Sequence, residues 1–236
     1  MKRQIPWLRV FVEGVVIIGS ILLAFGMQAW WDARQERFAL TAHLSALAED
    51  VTEARSDVML SQGRRERRMD TIHSLLRVIT GAEDPPPRDT LTDWLGTLWG
   101  ASSPLLPFAA LDDLRASGVL ASIESQELRR ALFDYARASE AVIVGEERVI
   151  RSWEEGLRPY LTTHTDALPQ VQAGRFLDLE EYEPVFDADI EALLNDRVFQ
   201  NLLLIRLNRT VGAYFDAATV ISLLDRIATL LELESR

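Results

Sequence analysis

The feature that most constrains this chain is an apolar run of 22 residues that begins at Val10 and ends at Trp31. Only three residues within it are polar: Glu13, Ser20 and Gln28. As a helix the run is about 33 Å long, which is enough to cross a hydrocarbon core of about 30 Å. The sequence therefore predicts a transmembrane helix over residues 10–31.

Tryptophans lie at both ends of the run, as they do where membrane helices meet the lipid headgroups: Trp7, Trp30 and Trp31. Two other interpretations fit less well. A cleaved signal peptide has a shorter apolar core, although Ala24 and Gly26 resemble the small residues before a cleavage site. A buried core helix is seldom apolar on every face over this length in a chain of 236 residues. We expect a retained anchor, with these tryptophans as its interfacial belt.

Basic residues next to the run predict its orientation. Lys2, Arg3 and Arg9 precede it, whereas Arg34 and Arg37 follow it closely. Because positive charge is retained on the cytoplasmic side, we expect a cytoplasmic N-terminus and a single pass through a bacterial inner membrane. The main domain is then periplasmic, and the absence of cysteine is compatible with that location.

The charge of the rest of the chain limits its partners. The net charge is −11 overall, and residues 38–236 carry 20 basic and 33 acidic side chains, a net charge of −13. A domain this acidic repels phosphate backbones, which argues against nucleic acid as a partner. Hydrophobic residues make up 48% of the chain, enough for a domain with its own core.

A helical pattern follows the run directly. Apolar residues recur at alternating spacings of four and three: Leu40, Leu44, Leu47, Val51, Ala54 and Val58. Neither glycine nor proline interrupts this seam before Gly63, so we predict one helix that continues from the span into a stalk. The segment SQGRRERR (61–68) is predicted to interrupt the seam as a solvated break, with contact of RRERR (64–68) to phosphates or lipid headgroups as the alternative. Three prolines in GAEDPPPRD (81–89) predict a loop.

The remaining segments also carry helical patterns. Helix caps are expected at three places: Asp89 or Thr90, Gly118, and Ser122 or Ser125. An apolar stripe from Leu128 to Tyr160 predicts a long helix that kinks or ends near Pro159. A last long helix is predicted from about Ile190 to Leu233.

No segment has the alternating pattern of a β-strand, so the predicted fold class is all-α. One N-terminal transmembrane helix continues into an elongated extramembrane helical bundle. The expected parts are a short cytoplasmic tail (1–9), the span (10–31), a stalk helix (32–80) and a helical bundle domain that packs on the stalk (81–236).

Parts of the sequence resemble a widespread bacterial family of single-span membrane proteins with a helical soluble domain, a domain of unknown function. In the anchor, the resemblance rests on five residues that are followed by the charged segment ARQER (33–37). They are Glu13, Gly19, Ala24, Gln28 and Trp30. LDDLRASGVLASIESQELRRALFDY (111–135) and NDRVFQNLLLIRLNR (195–209) are similar to its later blocks. The resemblance implies a membrane-anchored helical protein and supplies no catalytic residues.

No combination of residues points to catalysis or to a metal. The histidines are far apart and none has a partner at a metal-binding spacing: His43, His73 and His164. DADIEALLN (187–195) begins like a calcium loop, but Ala192 and Val198 replace the glycine and the glutamate that such a loop needs. We therefore expect a protein that is not an enzyme and binds no cofactor.

Carboxylates are concentrated in one acidic run and in two pairs of adjacent glutamates. The run from Asp178 to Glu191 contains no basic residue, and it predicts a solvated loop, or less often a docking site for a basic partner. Adjacent glutamates occur twice on predicted helices, where neighbouring side chains diverge and do not share a proton: Glu146–Glu147 and Glu154–Glu155.

Small residues within the span predict a docking face for a partner's helix: Gly19, Ser20, Ala24 and Gly26. In lipid, small residues let two helices approach closely, although glycine is also common in membrane helices in general. Glu13 and Gln28 are expected to add hydrogen bonds near the two ends of the span.

Two classes of function fit these features. The first is a non-catalytic accessory or scaffold subunit of a larger bacterial membrane complex, respiratory or photosynthetic, whose partners are other membrane protein subunits and the lipid bilayer. The second is a membrane-anchored extracytoplasmic sensor or signalling protein. Against the second, the expected cytoplasmic tail is too short to hold a transmitter domain.

Overall fold

The computed structural model describes residues 7–99, 111–112, 116, 118–168, 182 and 189–234. Side chains at 7–10, 12–15, 17, 36 and 119 lie outside that description. Most of the acidic run from Asp178 to Glu191 and most of the tail at 1–9 also fall outside it. Statements below about absent features refer to the described residues.

The protein is all-α, as the sequence predicts, and the described residues include no β-strand. Its helices form an elongated bundle with these bounds: α1 (Trp7–Ile79), α2 (Arg88–Leu98), α3 (Gln126–Ser152), α4 (Arg158–His164), α5 (Ile190–Leu194) and α6 (Arg197–Glu234). A 3₁₀ turn (Val119–Ser122) precedes α3, and a π-helical turn (Trp153–Leu157) joins α3 to α4.

Helix α1 contains 73 residues in one unbroken element, about 110 Å long. The predicted continuity between Trp31 and Leu47 is confirmed. The predicted break at residues 61–68 is wrong, because α1 runs straight through this segment and buries the side chains of Arg65 and Arg68.

Among the residues whose side chains are described, no helix contains a stretch long and apolar enough to cross a membrane. The segment predicted to span includes Val10, residues 12–15 and Ile17, whose side chains are outside this set.

Helix α6 packs closely against both α1 and α3. The buried apolar residues form two separate clusters, and both include residues of α1 and α6. The proximal cluster is centred on Leu47 to Val58 of α1, Leu128 to Val142 of α3 and Ala217 to Leu231 of α6. Helices α2, α4 and α5 cover the distal cluster. Its centre is formed by Ile72 and Leu75 of α1, Trp153 and Leu157 of the π turn, and Phe199 and Leu203 of α6. These sets place α1 parallel to α3 and antiparallel to α6.

The predicted cap at Ser125 is confirmed, and Gly118 has the left-handed conformation predicted for it, whereas the end of the helix before it lies outside the described residues. Ser125 precedes α3, and its Oγ accepts a hydrogen bond from Leu128 N at 3.1 Å. Gly118 has φ +75°, the left-handed conformation that glycine adopts at little cost. The predicted cap at Asp89 or Thr90 is wrong. Extended Pro87 precedes Arg88, and Asp89 lies inside the first turn of α2.

The C-terminal region differs from the single helix predicted from Ile190. The chain turns at Asn195 and Asp196, and α6 begins at Arg197. The cause is local, because Asp196 Oδ1 accepts a hydrogen bond from Val198 N at 2.7 Å and so caps a new helix. The prediction near Pro159 is confirmed, since this residue lies in the first turn of α4, directly after the π turn. Without an N–H, Pro159 cannot complete the regular bonding of the preceding helix.

Candidate functional site

Among the described residues, the N-terminal part of α1 extends beyond the bundle and has exposed side chains. Leu47 is the first described side chain of α1 that is buried, and those of the apolar segment before it are exposed. Its large exposed side chains include: Phe11, Val16, Ile18, Ile21, Leu22, Leu23, Phe25, Met27, Trp30, Trp31 and Phe38. A contiguous apolar surface of this size on a folded protein marks contact with lipid or with another protein.

The predicted docking residues all lie on this exposed part of α1: Gly19, Ser20, Ala24 and Gly26. A Cβ at Gly19 or Gly26 would meet no atom within 4 Å, so neither glycine is required by the protein's own packing. Ser20 Oγ donates to Val16 O at 2.8 Å, which satisfies its hydroxyl within the helix.

Helical geometry divides the four small residues into two pairs. With roughly 100° per residue, Ser20 and Ala24 lie about 40° apart, and Gly19 and Gly26 about 20° apart. Leu23 falls between the two pairs and is exposed. The four residues thus share one side of the helix but flank a leucine, and they do not form one continuous groove.

The far end of the apolar segment combines aromatic rings with a cation. Trp30 and Trp31 are each 62% exposed, and the Arg34 guanidinium lies 5.7 Å from the Trp30 ring and 5.2 Å from the Phe38 ring. This arrangement suits a membrane–water interface, where rings and basic groups meet headgroups. Trp7, the third residue of the predicted belt, has a side chain outside the description.

A second feature lies inside the bundle, between the two apolar clusters. We call it the polar layer, and it contains the buried polar side chains of the described residues: Ser61, Arg65, Arg68, Thr71, Ser139, Glu146, Arg206 and Thr210. Its charged groups come from all three long helices, with two arginines on α1, the glutamate on α3 and the third arginine on α6. The bundle core is therefore interrupted by buried charge.

The centre of the polar layer is a buried ion pair between α1 and α3. Arg65 donates to Glu146 Oε1 through both Nε, at 2.9 Å, and Nη2. Both side chains are almost completely buried. Glu147, its neighbour in sequence, is exposed, so the predicted divergence of this glutamate pair is confirmed.

Each of the other two arginines donates a hydrogen bond to a backbone carbonyl group. Arg206 is fully buried, its Nη1 donates to Val149 O at 2.6 Å, and its guanidinium lies 5.9 Å from the Trp153 ring. Arg68 Nε donates to Thr97 O at 3.4 Å, a long hydrogen bond.

Charge is destabilised in this layer by burial. Burial, and then repulsion from Arg68, lowers the pKa of Arg206 to about 9, while Glu146 opposes the shift. Burial also lowers the pKa of Arg68, with Glu146 opposing and Arg65 adding to the shift. The Arg68 and Arg206 guanidinium groups still carry their proton at neutral pH. Glu146 is the one described carboxylate that favours the charged form of Arg68 and Arg206.

The sequence prediction missed the polar layer because arginine and serine are typical of exposed positions. The spacing of these residues along α1 nevertheless matches that of the apolar seam. The alternation of three and four continues after Val58 through the supposed break: Ser61, Arg65, Arg68, Ile72 and Leu75. These residues occupy the same face of α1 as the apolar seam, and the structure buries all of them. An arginine that continues such a seam is therefore a candidate for a buried charge.

A third polar group, at the far end of the bundle, has a structural role. Tyr160 OH donates to Asp196 Oδ2 at 2.5 Å, and the Tyr160 ring stacks on His164 with 4.1 Å between centroids. This hydrogen bond from Tyr160 lowers the pKa of Asp196, which caps α6. The described residues contain no group of histidines and carboxylates able to hold a metal ion.

Comparison with known proteins gave no match to any family model, curated protein or solved structure. The resemblance to a family of single-span proteins therefore stays a prediction.

Proposed function

We propose that this protein is a non-catalytic accessory or scaffold subunit of a bacterial inner-membrane complex. One observation carries the proposal: an exposed apolar helix is continuous with a bundle that buries its own core. Because every described side chain from Phe11 to Phe38 is exposed, this surface is available to lipid and to other membrane helices.

The sequence supports insertion of this segment into a bilayer. The run from Val10 to Trp31 has the length and apolar character of a single span. At its C-terminal end lie Trp30, Trp31 and Arg34, side chains of the kind that is enriched at a membrane–water interface. The bundle is then held at the membrane by a rigid helix, because α1 has no break between the apolar segment and Leu47. A rigid stalk suits a subunit that must keep a fixed position in an assembly.

We propose further that the span docks on a partner's helix through the two pairs of small residues that flank Leu23. Helices attract each other in lipid through close packing, since lipid tails are as apolar as leucine. Changing Gly19 and Ala24 to leucine fills one position of each pair with a bulky side chain. We expect the recovery of co-purifying membrane proteins to fall about tenfold, from the roughly 1–2 kcal/mol that such contacts contribute. Quantitative mass spectrometry after purification in mild detergent measures this.

Phe25→Leu is the matched control, because Phe25 lies on the opposite side of α1 and the change also places a leucine in the span. Membrane insertion should be unaffected in both variants, since leucine is favourable in lipid. Single Gly19→Leu and Ala24→Leu variants identify which pair of small residues forms the contact. Unchanged recovery of the same proteins with the double variant would show that the span is only an anchor.

The proposed orientation has its own test. The heavier basic flank before the span, with Lys2, Arg3 and Arg9, predicts that the bundle lies in the periplasm. Alkaline phosphatase fused after Arg236 should be active, and a reporter that works only in the cytoplasm should be inactive at the same position. The reverse pair of activities would place the bundle in the cytoplasm.

A further inference from the structure

A basic face follows the apolar run on α1. Arg34 and Arg37 are exposed there and lie three residues apart, on one side of the helix. A helix brings together residues three or four positions apart, and none of those neighbours of either arginine is acidic. The acidic residues of this segment, Asp32 and Glu36, are placed about 160° around the helix axis from Arg34. The two positive charges therefore repel each other on a face where the sequence places no carboxylate.

Two aromatic rings hold Arg34 in place. Its guanidinium carbon lies 5.7 Å from the centroid of the Trp30 ring, one turn before it, and 5.2 Å from that of the Phe38 ring, one turn after it. Ring faces attract the positive charge but accept no ordinary hydrogen bonds, so these contacts leave the N–H donors of the guanidinium group for another acceptor. A fork of donors fixed in this way suits an anion with several oxygens, such as a phosphate.

There is open space beside both arginines. Described residues line a surface concavity of about 340 Å³, which we call the arginine face: Trp30, Ala33, Arg34, Arg37, Phe38 and Thr41. Ala33 contributes only a methyl group, and Thr41 Oγ1 already donates to Arg37 O at 2.9 Å. Both charged groups of this lining are guanidinium groups, so the concavity favours an anion.

The depth of the arginine face matches the lipid headgroups, an inference that rests on the proposed insertion of residues 10–31. Arg34 is about 4.5 Å beyond Trp31 along the axis of α1, and Arg37 is about 9 Å beyond it. The headgroup layer is roughly 5–8 Å thick on each side of the hydrocarbon core. The Cα–Cβ bonds of a helix tilt towards its N-terminus, which directs both arginine side chains back to this layer. The phosphate within reach of both arginines is therefore that of a phospholipid.

We propose that the arginine face binds one anionic phospholipid, whose headgroup phosphate is held by Arg34 and Arg37. A zwitterionic headgroup fits less well, because its ammonium group meets the same two positive charges. Arg34 lies about 20° around the axis from Leu23, so the lipid occupies the side of the span proposed for docking and borders that contact. The lipid thus fixes the depth and the rotation of α1 in the bilayer.

The test uses the full-length protein in mild detergent and titrates it with phosphatidylglycerol or with phosphatidylcholine of the same acyl chains. Native mass spectrometry gives the Kd of each lipid. We expect phosphatidylglycerol to bind about 25-fold more tightly, since each arginine near an anionic headgroup contributes a factor of about five. Equal Kd values would overturn the proposal. Displacement of phosphatidylglycerol by an equimolar amount of inorganic phosphate would make the ligand a free anion and would overturn it as well.

Variants locate the binding. Arg34→Gln with Arg37→Gln should raise the Kd of phosphatidylglycerol about 25-fold and leave that of phosphatidylcholine unchanged. Arg64→Gln with Arg67→Gln is the matched control, since these arginines have the same spacing and are exposed on the part of α1 within the bundle. The control should bind phosphatidylglycerol as the unmodified protein does. The same Kd in the two double variants would place the lipid elsewhere and contradict the proposal.

The anchor and the docking are tested separately from the lipid. Partners are absent from the titration, so a failure of helix docking leaves its result unchanged. Release of the unmodified protein from membranes washed with alkaline carbonate would contradict the insertion of residues 10–31, whereas the ratio of the two Kd values decides the lipid site.

Discussion

Replacing Glu146 with glutamine is expected to lower the free energy of unfolding by about 3–5 kcal/mol. The change keeps the size of the side chain and removes only its charge. Arg65 then loses its ionic partner at a place where both side chains are almost completely buried. A buried charge that loses its counter-charge costs far more than a lost surface ion pair, because water cannot replace the missing partner.

Urea unfolding followed by tryptophan fluorescence measures this effect, since Trp99 and Trp153 pack edge to face within the described core. Glu147→Gln is the matched control. It is the same change one residue away on the solvent face of α3, and it should alter stability by less than about 0.5 kcal/mol. Equal unfolding midpoints for the two variants would show that Glu146 is not the counter-charge of the layer.

The sequence was sufficient for the parts of the fold that depend on periodicity. The alternation of four and three from Leu40 to Val58 predicts one continuous helix, because only a helix places all these residues on one face. Ser125 and Gly118 were found for local reasons, a side-chain acceptor before a helix and a backbone conformation that favours glycine.

The polar layer could not be predicted in the same way. Its central pair joins residues 81 positions apart, and no local pattern indicates that Arg65 faces Glu146. The rule that arginine avoids the interior led to a solvated break at residues 61–68, although the seam spacing continued through them. Tertiary pairing overrides that rule where a carboxylate from another helix lies opposite.

The exposed apolar segment raises the question of what stabilises it. In water, side chains such as Leu22, Leu23 and Phe25, each about two-thirds exposed, would favour aggregation and contribute nothing to the bundle. In a bilayer the same exposure is favourable, because each side chain then faces lipid tails. The proposed insertion therefore depends on residues whose replacement leaves the bundle core untouched.

Changing Leu22 and Phe25 to arginine in one variant is expected to abolish stable membrane association. Near the centre of a span each arginine costs roughly 2.5–3.5 kcal/mol for insertion, and two of them outweigh the gain from the remaining apolar residues. Both side chains are exposed on the N-terminal part of α1, so the bundle should fold as before. Membranes washed with alkaline carbonate measure the result, with the variant moving to the wash while the unmodified protein stays in the pellet.

Phe133→Arg with Phe215→Arg is the matched control, since these rings are exposed on the bundle and should leave the protein in the pellet. Retention of the Leu22→Arg, Phe25→Arg variant in washed membranes would mean that residues 10–31 do not hold the protein there, and the anchor would have to be sought in the acidic bundle.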